Sequence, residues 1–265
     1  MAQPDPADGR VTGVLRDGLF LIGIDRKAKL NGFTPAMLRG LAQAYTAFER
    51  EPQALCAVVF AEGPHFTAGL DLPKVAPHLG GDTLLVEEGE IDPFGLRRPF
   101  RSKPVVVAVQ GICFTLGVEL MLAADIVIAA SDTRFAQLEV KRGLLPTGGA
   151  TIRMVERAGW GNAMRYLLTG DEFDAPTALR LGFIQETVEP GRQYDRAVEL
   201  AKHISAQSPL ALAATIENAR LAHLHGPAAA AAQFGAVQSR LLASADFQEG
   251  MQSFREKRPP RFGPK

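Results

Sequence analysis

Hydrophobic positions in this chain alternate between short, unbroken apolar runs and helically spaced ones, and that pattern predicts most of the elements. VTGVLRDGLFLIGI, Val11 to Ile24, is two β-rich runs around an Asp17-Gly18 turn signal and reads as a hairpin. Thr34-Pro35 then offers an N-cap with proline at the first helical position, followed by Met37, Leu38, Leu41, Tyr45 and Phe48 at helical spacing. LCAVVF (Leu55 to Phe60), PVVVAV (Pro104 to Val109) and DIVIAA (Asp125 to Ala130) are continuous apolar runs bounded by breakers, the mark of strands covered on both faces. A helix between two such strands implies a right-handed βα unit. Helix signals follow at Ala150 to Ala158, Asn162 to Leu168 and Ala175 to Leu181, then a strand-like FIQETV. From Gly191 onward the pattern is helical throughout, with Ser208-Pro209 opening one of the helices. The expected fold is α/β: a tail over residues 1–10, a βα-rich core over 11–195 and a helical C-terminal domain over 196–265.

Two irregular stretches interrupt this order. AEGPHFTAGLDL, Ala61 to Leu72, leaves the carboxyl end of a buried strand, where open α/β sheets build binding sites. Pro73 to Arg101 is a long connection carrying the acidic residues Glu87, Glu88 and Glu90; it reads as a flap over a site, with a solvated excursion as the equal alternative for the acidic patch. The segment Lys103 to Ala130 reads as strand, low-bulk turn, short helix and strand, and Glu119 is its one charge between Lys103 and Asp125. A carboxylate in an apolar run is costly unless it is paired or used.

Composition narrows the function classes. The chain has 265 residues, 46% hydrophobic and 22% charged, with a net charge of zero, so it lacks the basic excess of a nucleic-acid binder. No apolar run reaches the roughly 18 residues of a spanning helix, and MAQPDPADGR has no signal-peptide core, so no membrane partner and a cytoplasmic location are expected. Cys56 and Cys113 sit among apolar neighbours and suit reduced core thiols. The five histidines form no i, i+4 ligand pair, so no metal site is expected. There is no GxSxG elbow, Walker loop or GxGxxG, and Thr147-Gly148-Gly149 reads as a turn opening a helix beside the pocket.

Six pieces in order, IDRKAKLNG, HFTAGLDL, KPVVVAVQG with LGVELMLAADIVIA, RFAQLEVKRGLLPTGGATIRM, LLTGDEFDAPTALRLGFI and DFQEGMQSFREKRPPRF, resemble the crotonase (enoyl-CoA hydratase/isomerase) superfamily over nearly the whole chain. The resemblance implies a spiral of ββα repeats, a helical C-terminal trimerisation domain giving a homotrimer or dimer of trimers, and an acyl-CoA thioester substrate. Coenzyme A enters as part of that substrate, with no separate cofactor. Carried over by position, the backbone N–H groups of Leu70 and Leu116 form the oxyanion hole, and Glu119 and Glu139, 20 residues apart, are the acid/base carboxylates. Glu119 then holds and deprotonates the water while Glu139 protonates carbon 2. A buried ion pair is the plain alternative for Glu119, and a surface ion pair with Lys141 or Arg142 for Glu139.

Substrate and CoA contacts are implied for Arg26, Lys27, Ala28, Lys29, Ala68, Gly69, Asp71, Leu72, Gly117 and Lys257. The alternative for Lys257, within the basic tail of Arg255, Arg258 and Arg261, is a solvated chain end. Two departures stand out. Thr115-Leu116-Gly117 replaces the usual glycine run, so Leu116 is expected to intrude where glycine leaves room, and Arg26-Lys27-Ala28-Lys29 replaces an Arg-Pro-Lys run. The implied activity is hydration of an enoyl-CoA, or the reverse dehydration; an isomerase or other enolate chemistry on the same oxyanion hole, and a non-catalytic acyl-CoA binder, are the rivals.

Overall fold

Asp17 and Gly18, at φ 51° and 75°, make the tight turn between strand β1 (Arg10–Arg16) and strand β2 (Leu19–Asp25). Positive φ at both turn positions matches the twist of the flanking strands, which pair antiparallel from Arg10 opposite Asp25 to Arg16 opposite Leu19. The computed structural model describes residues 8–78 and 85–263. Residues 1–7 of the expected tail and residues 79–84 of the expected flap lie outside them. Helix α1 (Pro35–Arg50) starts where Thr34 Oγ1 accepts the Met37 N–H, and it buries the apolar face anticipated from Met37 to Phe48. Strand β3 (Cys56–Ala61) then lies parallel to β2.

The chain next makes successive turns of a spiral, each a strand of a large sheet, a strand of a second sheet and a helix. After the short helix α2 (Leu72–Val75) come β4 (Val105–Val109), β5 (Ile112–Phe114) and α3 (Leu116–Ala123). The following turn is β6 (Ile126–Ala130), β7 (Arg134–Ala136) and the paired helices α4 (Ala150–Ala158) and α5 (Trp160–Leu167). Strand β8 (Phe173–Asp174), α6 (Ala175–Arg180) and β9 (Glu186–Val188) close the spiral, and α7 (Gln193–Ser205), α8 (Pro209–His225), α9 (Pro227–Leu242) and α10 (Ala245–Glu256) follow. The large sheet has the order β1-β2-β3-β4-β6-β9, parallel beyond the first hairpin, and the small sheet runs β5-β7-β8.

Strands β3 and β4 show why their sequences are uninterruptedly apolar. Ala57, Val59, Val105, Val107 and Val109 enter the main core, while Cys56, Val58, Val106 and Ala108 face a second cluster that Ala197 and Ala201 of α7 complete. Helix α7 therefore packs as a layer of the core, which extends one helix beyond the compositional boundary at residue 195. Strand β5 is a further difference. The stretch expected as a mere turn before α3 contains Ile112, Cys113 and Phe114 paired in parallel with Arg134, Phe135 and Ala136.

The connection from residue 85 to 101 is anchored rather than open. Ile91, Asp92, Pro93 and Phe94 are buried, and the Asp92 carboxylate accepts the N–H groups of Phe94, Leu96 and Arg97. Glu87 of the acidic patch pairs with Arg39 across 3.1 Å. Both cysteines are free and buried, and burial pushes the Cys56 thiol up to about 12, which suits inert core thiols. Among the described residues no helix is long and apolar enough to cross a membrane, and no group of His, Cys, Asp or Glu could hold a metal ion.

Candidate active site

Apart from Glu119, helix α3 is apolar on every side and is buried from Leu116 to Leu122, and Glu119 itself is 2% exposed. Its C-terminal carbonyls are covered by two guanidinium groups. Arg101 donates to Ala123 O at 3.2 Å while gripping Asp125 with both terminal nitrogens, and Arg157 donates to Leu122 O at 2.7 Å. Cations at that end complement the helix dipole, and Asp125 Oδ2 also takes the Val105 N–H, tying the helix to the start of β4. At the other end, Phe114 donates its N–H to Thr67 O at 3.0 Å, which holds the start of α3 against the loop from residue 66 to 71.

That loop is fixed amide by amide. Phe66 and Thr67 donate to Ile112 O, Ala68 to Leu30 O, Gly69 to Thr67 Oγ1 and Asp71 to Phe33 O. The Leu70 N–H is the exception, with no hydrogen-bond partner among the described residues. The parallel bridge between Phe33 and Leu70 explains it: Phe33 is bonded to the residues on either side, leaving Leu70's own N–H aimed the other way. Leu116, the first residue of α3, likewise has an unpartnered N–H. Gly69 packs directly on Thr115, since a Cβ added to it would lie 1.8 Å from Thr115 Oγ1, and this contact brings the two orphan donors together. Rigid, preaimed N–H groups beside a helix N-terminus can stabilise a developing oxyanion without reorganising.

Glu119 lies one helical turn beyond Leu116. Its Oε1 accepts the N–H of Gly148 at 2.7 Å and of Ala150 at 3.2 Å, so it caps α4, whose own N-cap residue is Gly149. The Gly-rich turn expected beside the pocket is therefore Glu119's partner, and the ion-pair alternative for this residue is set aside. Burial pushes its carboxyl up to about 7; the Ala150 and Gly148 N–H groups and Arg153 pull downward, while the charge of Glu139 pushes further upward. Glu139 opens a 3-10 turn, Glu139–Arg142. Its Oε2 is buried without a hydrogen-bond partner, and burial raises this carboxyl too. No ion pair with Lys141 or Arg142 forms.

Other expected contacts are redistributed. Arg26 is buried and donates to Gly32 O and to Asp71 Oδ2, each at 2.8 Å, so these two residues hold the 26–32 loop on the 66–71 loop rather than presenting charge to a ligand. Gly117 is enclosed by Thr67 and Cys113, where a Cβ would lie 2.5 Å from Thr67 Cγ2; it sets helix-to-loop spacing. Lys27, Ala28 and Lys29 form an exposed 3-10 turn, Ala68 and Leu72 are half-buried, and Lys257 is exposed at the end of α10 with no ion pair. Arg258, by contrast, is consumed by Glu249 and Glu256. Leu116, expected to intrude where glycine leaves room, packs into the core instead. It is an ordinary helical residue, 3% exposed, and the positive φ falls on Thr115.

The comparisons agree with this architecture. A family described as enoyl-CoA hydratase/isomerase matches residues 15–265. The crystal structure of a probable enoyl-CoA hydratase/isomerase from Mycobacterium abscessus superposes with a TM-score of 0.93 at 45% identity, covering 96% of this chain and 98% of that one. A probable enoyl-CoA hydratase from Rhodobacter capsulatus is 34% identical over 94% of this chain and 95% of its own length. A 1,2-epoxyphenylacetyl-CoA isomerase from Escherichia coli is 31% identical over 92% and 95%. With a family match across almost its whole length and the ββα spiral in place, the chain belongs to the enoyl-CoA hydratase/isomerase family, the crotonase superfamily.

Proposed function

We propose that this protein is a hydro-lyase that adds water across the 2,3 double bond of an enoyl-CoA thioester and catalyses the reverse dehydration. The observation that carries this reading is the coupled pair Glu119 and Glu139, both with raised proton affinity, beside the orphan N–H groups of Leu70 and Leu116. Hydration needs a base to take a proton from water and an acid to protonate carbon 2, and two carboxyls of raised proton affinity, one charged and one protonated, supply both. The proton belongs to the pair: hydration begins with it on Glu139, and dehydration with it on Glu119. The Leu70 and Leu116 N–H groups polarise the thioester carbonyl and hold the enolate oxygen.

Coenzyme A is part of the substrate, and no further cofactor is needed for this chemistry. Lys27, Lys29 and Lys257 are exposed cations, which supports assigning them to its phosphates. Exposed Leu224, Phe234, Phe247 and Phe254 on α8, α9 and α10 support assembly into trimers or paired trimers. Two buried thiols suit a reducing cytoplasm, and such chemistry suits the breakdown of fatty acids.

A panel of enoyl-CoA thioesters followed by mass spectrometry tests the reading. The expected product gains one water, whereas turnover with unchanged mass would make the protein an isomerase and binding without turnover a silent acyl-CoA binder.

Gly148→Ala probes the same site from the far side. The added Cβ would lie 2.7 Å from Glu119 Oε2 and 2.9 Å from its Cδ. The carboxylate must move off its two N–H donors, so kcat is expected to fall at least about tenfold and stability by about 1 to 3 kcal/mol. Steady-state kinetics with a thermal melt reads both.

A further inference from the structure

Thr115 holds a backbone conformation that only glycine adopts without cost. Its φ of 49° and ψ of −114° put a β-branched residue in the left-handed half of the map, where it is strained. The turn itself needs no side chain there. Thr115 donates its N–H to Ala136 O at 2.7 Å and its carbonyl accepts the Glu119 N–H at 3.1 Å, bonds that glycine would make equally well. Nor is the strain offset by a side-chain bond, because the Thr115 hydroxyl has no hydrogen-bond partner among the described residues.

Position gives that hydroxyl its meaning. It occupies the space Gly69 leaves by lacking a Cβ, so it lies against the residue that precedes Leu70. It is also carried by the residue that precedes Leu116. The two residues whose N–H groups are orphaned are therefore the direct neighbours of this contact. A strained residue whose unused hydroxyl lies against Gly69 and directly precedes Leu116 borders both unused donors, the arrangement expected of a site preorganised for one acceptor atom.

We propose that the Thr115 hydroxyl is a third hydrogen-bond donor to the thioester carbonyl oxygen, acting with the N–H groups of Leu70 and Leu116 as the enolate forms. This rests on the acyl-CoA reading of the site. The hydroxyl keeps its proton throughout, and no bond to it is made or broken. Threonine suits the task better than serine because its γ-methyl restricts χ1 and holds the donor in one direction.

The test compares Thr115→Val, Thr115→Ser and Thr115→Gly in the full-length protein, reading kcat, thermal stability and the absorption of bound para-aminocinnamoyl-CoA, which shifts to the red as its carbonyl is polarised. Thr115→Val keeps shape and strain but loses the hydroxyl, so kcat should drop roughly 10- to 100-fold with a smaller red shift. Thr115→Ser should remain within about threefold of wild type on the same scale. Thr115→Gly should melt at or above the wild-type temperature and yet be slow. Among the variants, three results would overturn the proposal: a valine variant with wild-type kcat and red shift, valine and serine variants impaired alike, or a glycine variant as fast as wild type. The red shift requires binding alone, so a wild-type protein that polarises the probe without hydrating any enoyl-CoA would fault the proposed reaction and leave this comparison intact. A wild-type protein that binds the probe with no red shift would overturn the donor itself.

Discussion

Glu119→Gln is expected to lower kcat for hydration by about 10²- to 10⁴-fold while leaving the fold intact. The amide oxygen of glutamine can accept the same two N–H groups, from Gly148 and Ala150, that now hold Oε1, so α4 keeps its cap. What disappears is the ability to take a proton. In the wild type the acid limb of kcat/KM should lie near the value of about 7 to which burial pushes this carboxyl, with activity falling as the base is protonated below it. Stability should move the opposite way. A carboxyl raised from 4.5 to about 7 in the folded state contributes stability that is complete below the unfolded value and is lost as pH rises through the folded one. The rise corresponds to about 3 kcal/mol against the charged form. Glutamine carries no such penalty, so thermal melts at pH 5 and pH 8 should show Glu119→Gln gaining on the wild type as pH rises. An unchanged gap between the two would mean that Glu119 is not held out of water as its surroundings imply.

Much of this site was legible before the structure because its chemistry and its packing leave the same trace. A carboxylate inside LGVELMLA is visible as an anomaly in any hydropathy pattern, and the structure resolves it by supplying Gly148 and Ala150 as donors from a turn already marked by adjacent glycines. Strands β3 and β4 were legible because both their faces are apolar, which no helix period explains. Other features depend on contacts that sequence order does not encode. Arg26 looks like a cation available to phosphate, yet Asp71, distant in the chain, takes it. Strand β5 is three residues long, below the length at which a periodic signal exists, and its partner β7 lies across a whole helix and strand. The strain at Thr115 went unread, because the departure from a glycine run drew notice to the bulk of Leu116 without saying which position uses the permissive backbone.

Glu139→Gln is expected to lower hydration by a similar factor, about 10²- to 10⁴-fold, and to separate the jobs of the two carboxylates. Its Oε2 is buried without a hydrogen-bond partner, and glutamine keeps an oxygen that can accept the Glu139 and Leu138 N–H groups that pull this carboxyl downward, so the substitution removes proton transfer and charge with little structural consequence. Removing that charge also removes one of the influences that raise Glu119, so the acid limb of the residual activity should move below the wild-type position. The sharper readout is exchange of the α-proton of a saturated acyl-CoA in heavy water. Exchange requires the oxyanion hole and the group that serves carbon 2, but not the group that holds the water. If Glu139 serves carbon 2, exchange should vanish in Glu139→Gln and persist in Glu119→Gln, although both variants fail to hydrate. The reverse pattern would exchange the two roles, and loss of exchange in both would mean that neither carboxylate works without the other's charge beside it. The distinction also bears on reaction class: a protein that keeps exchange after losing its water-holding carboxylate retains the proton chemistry of an isomerase, so the step that makes this site a hydratase is the one at Glu119.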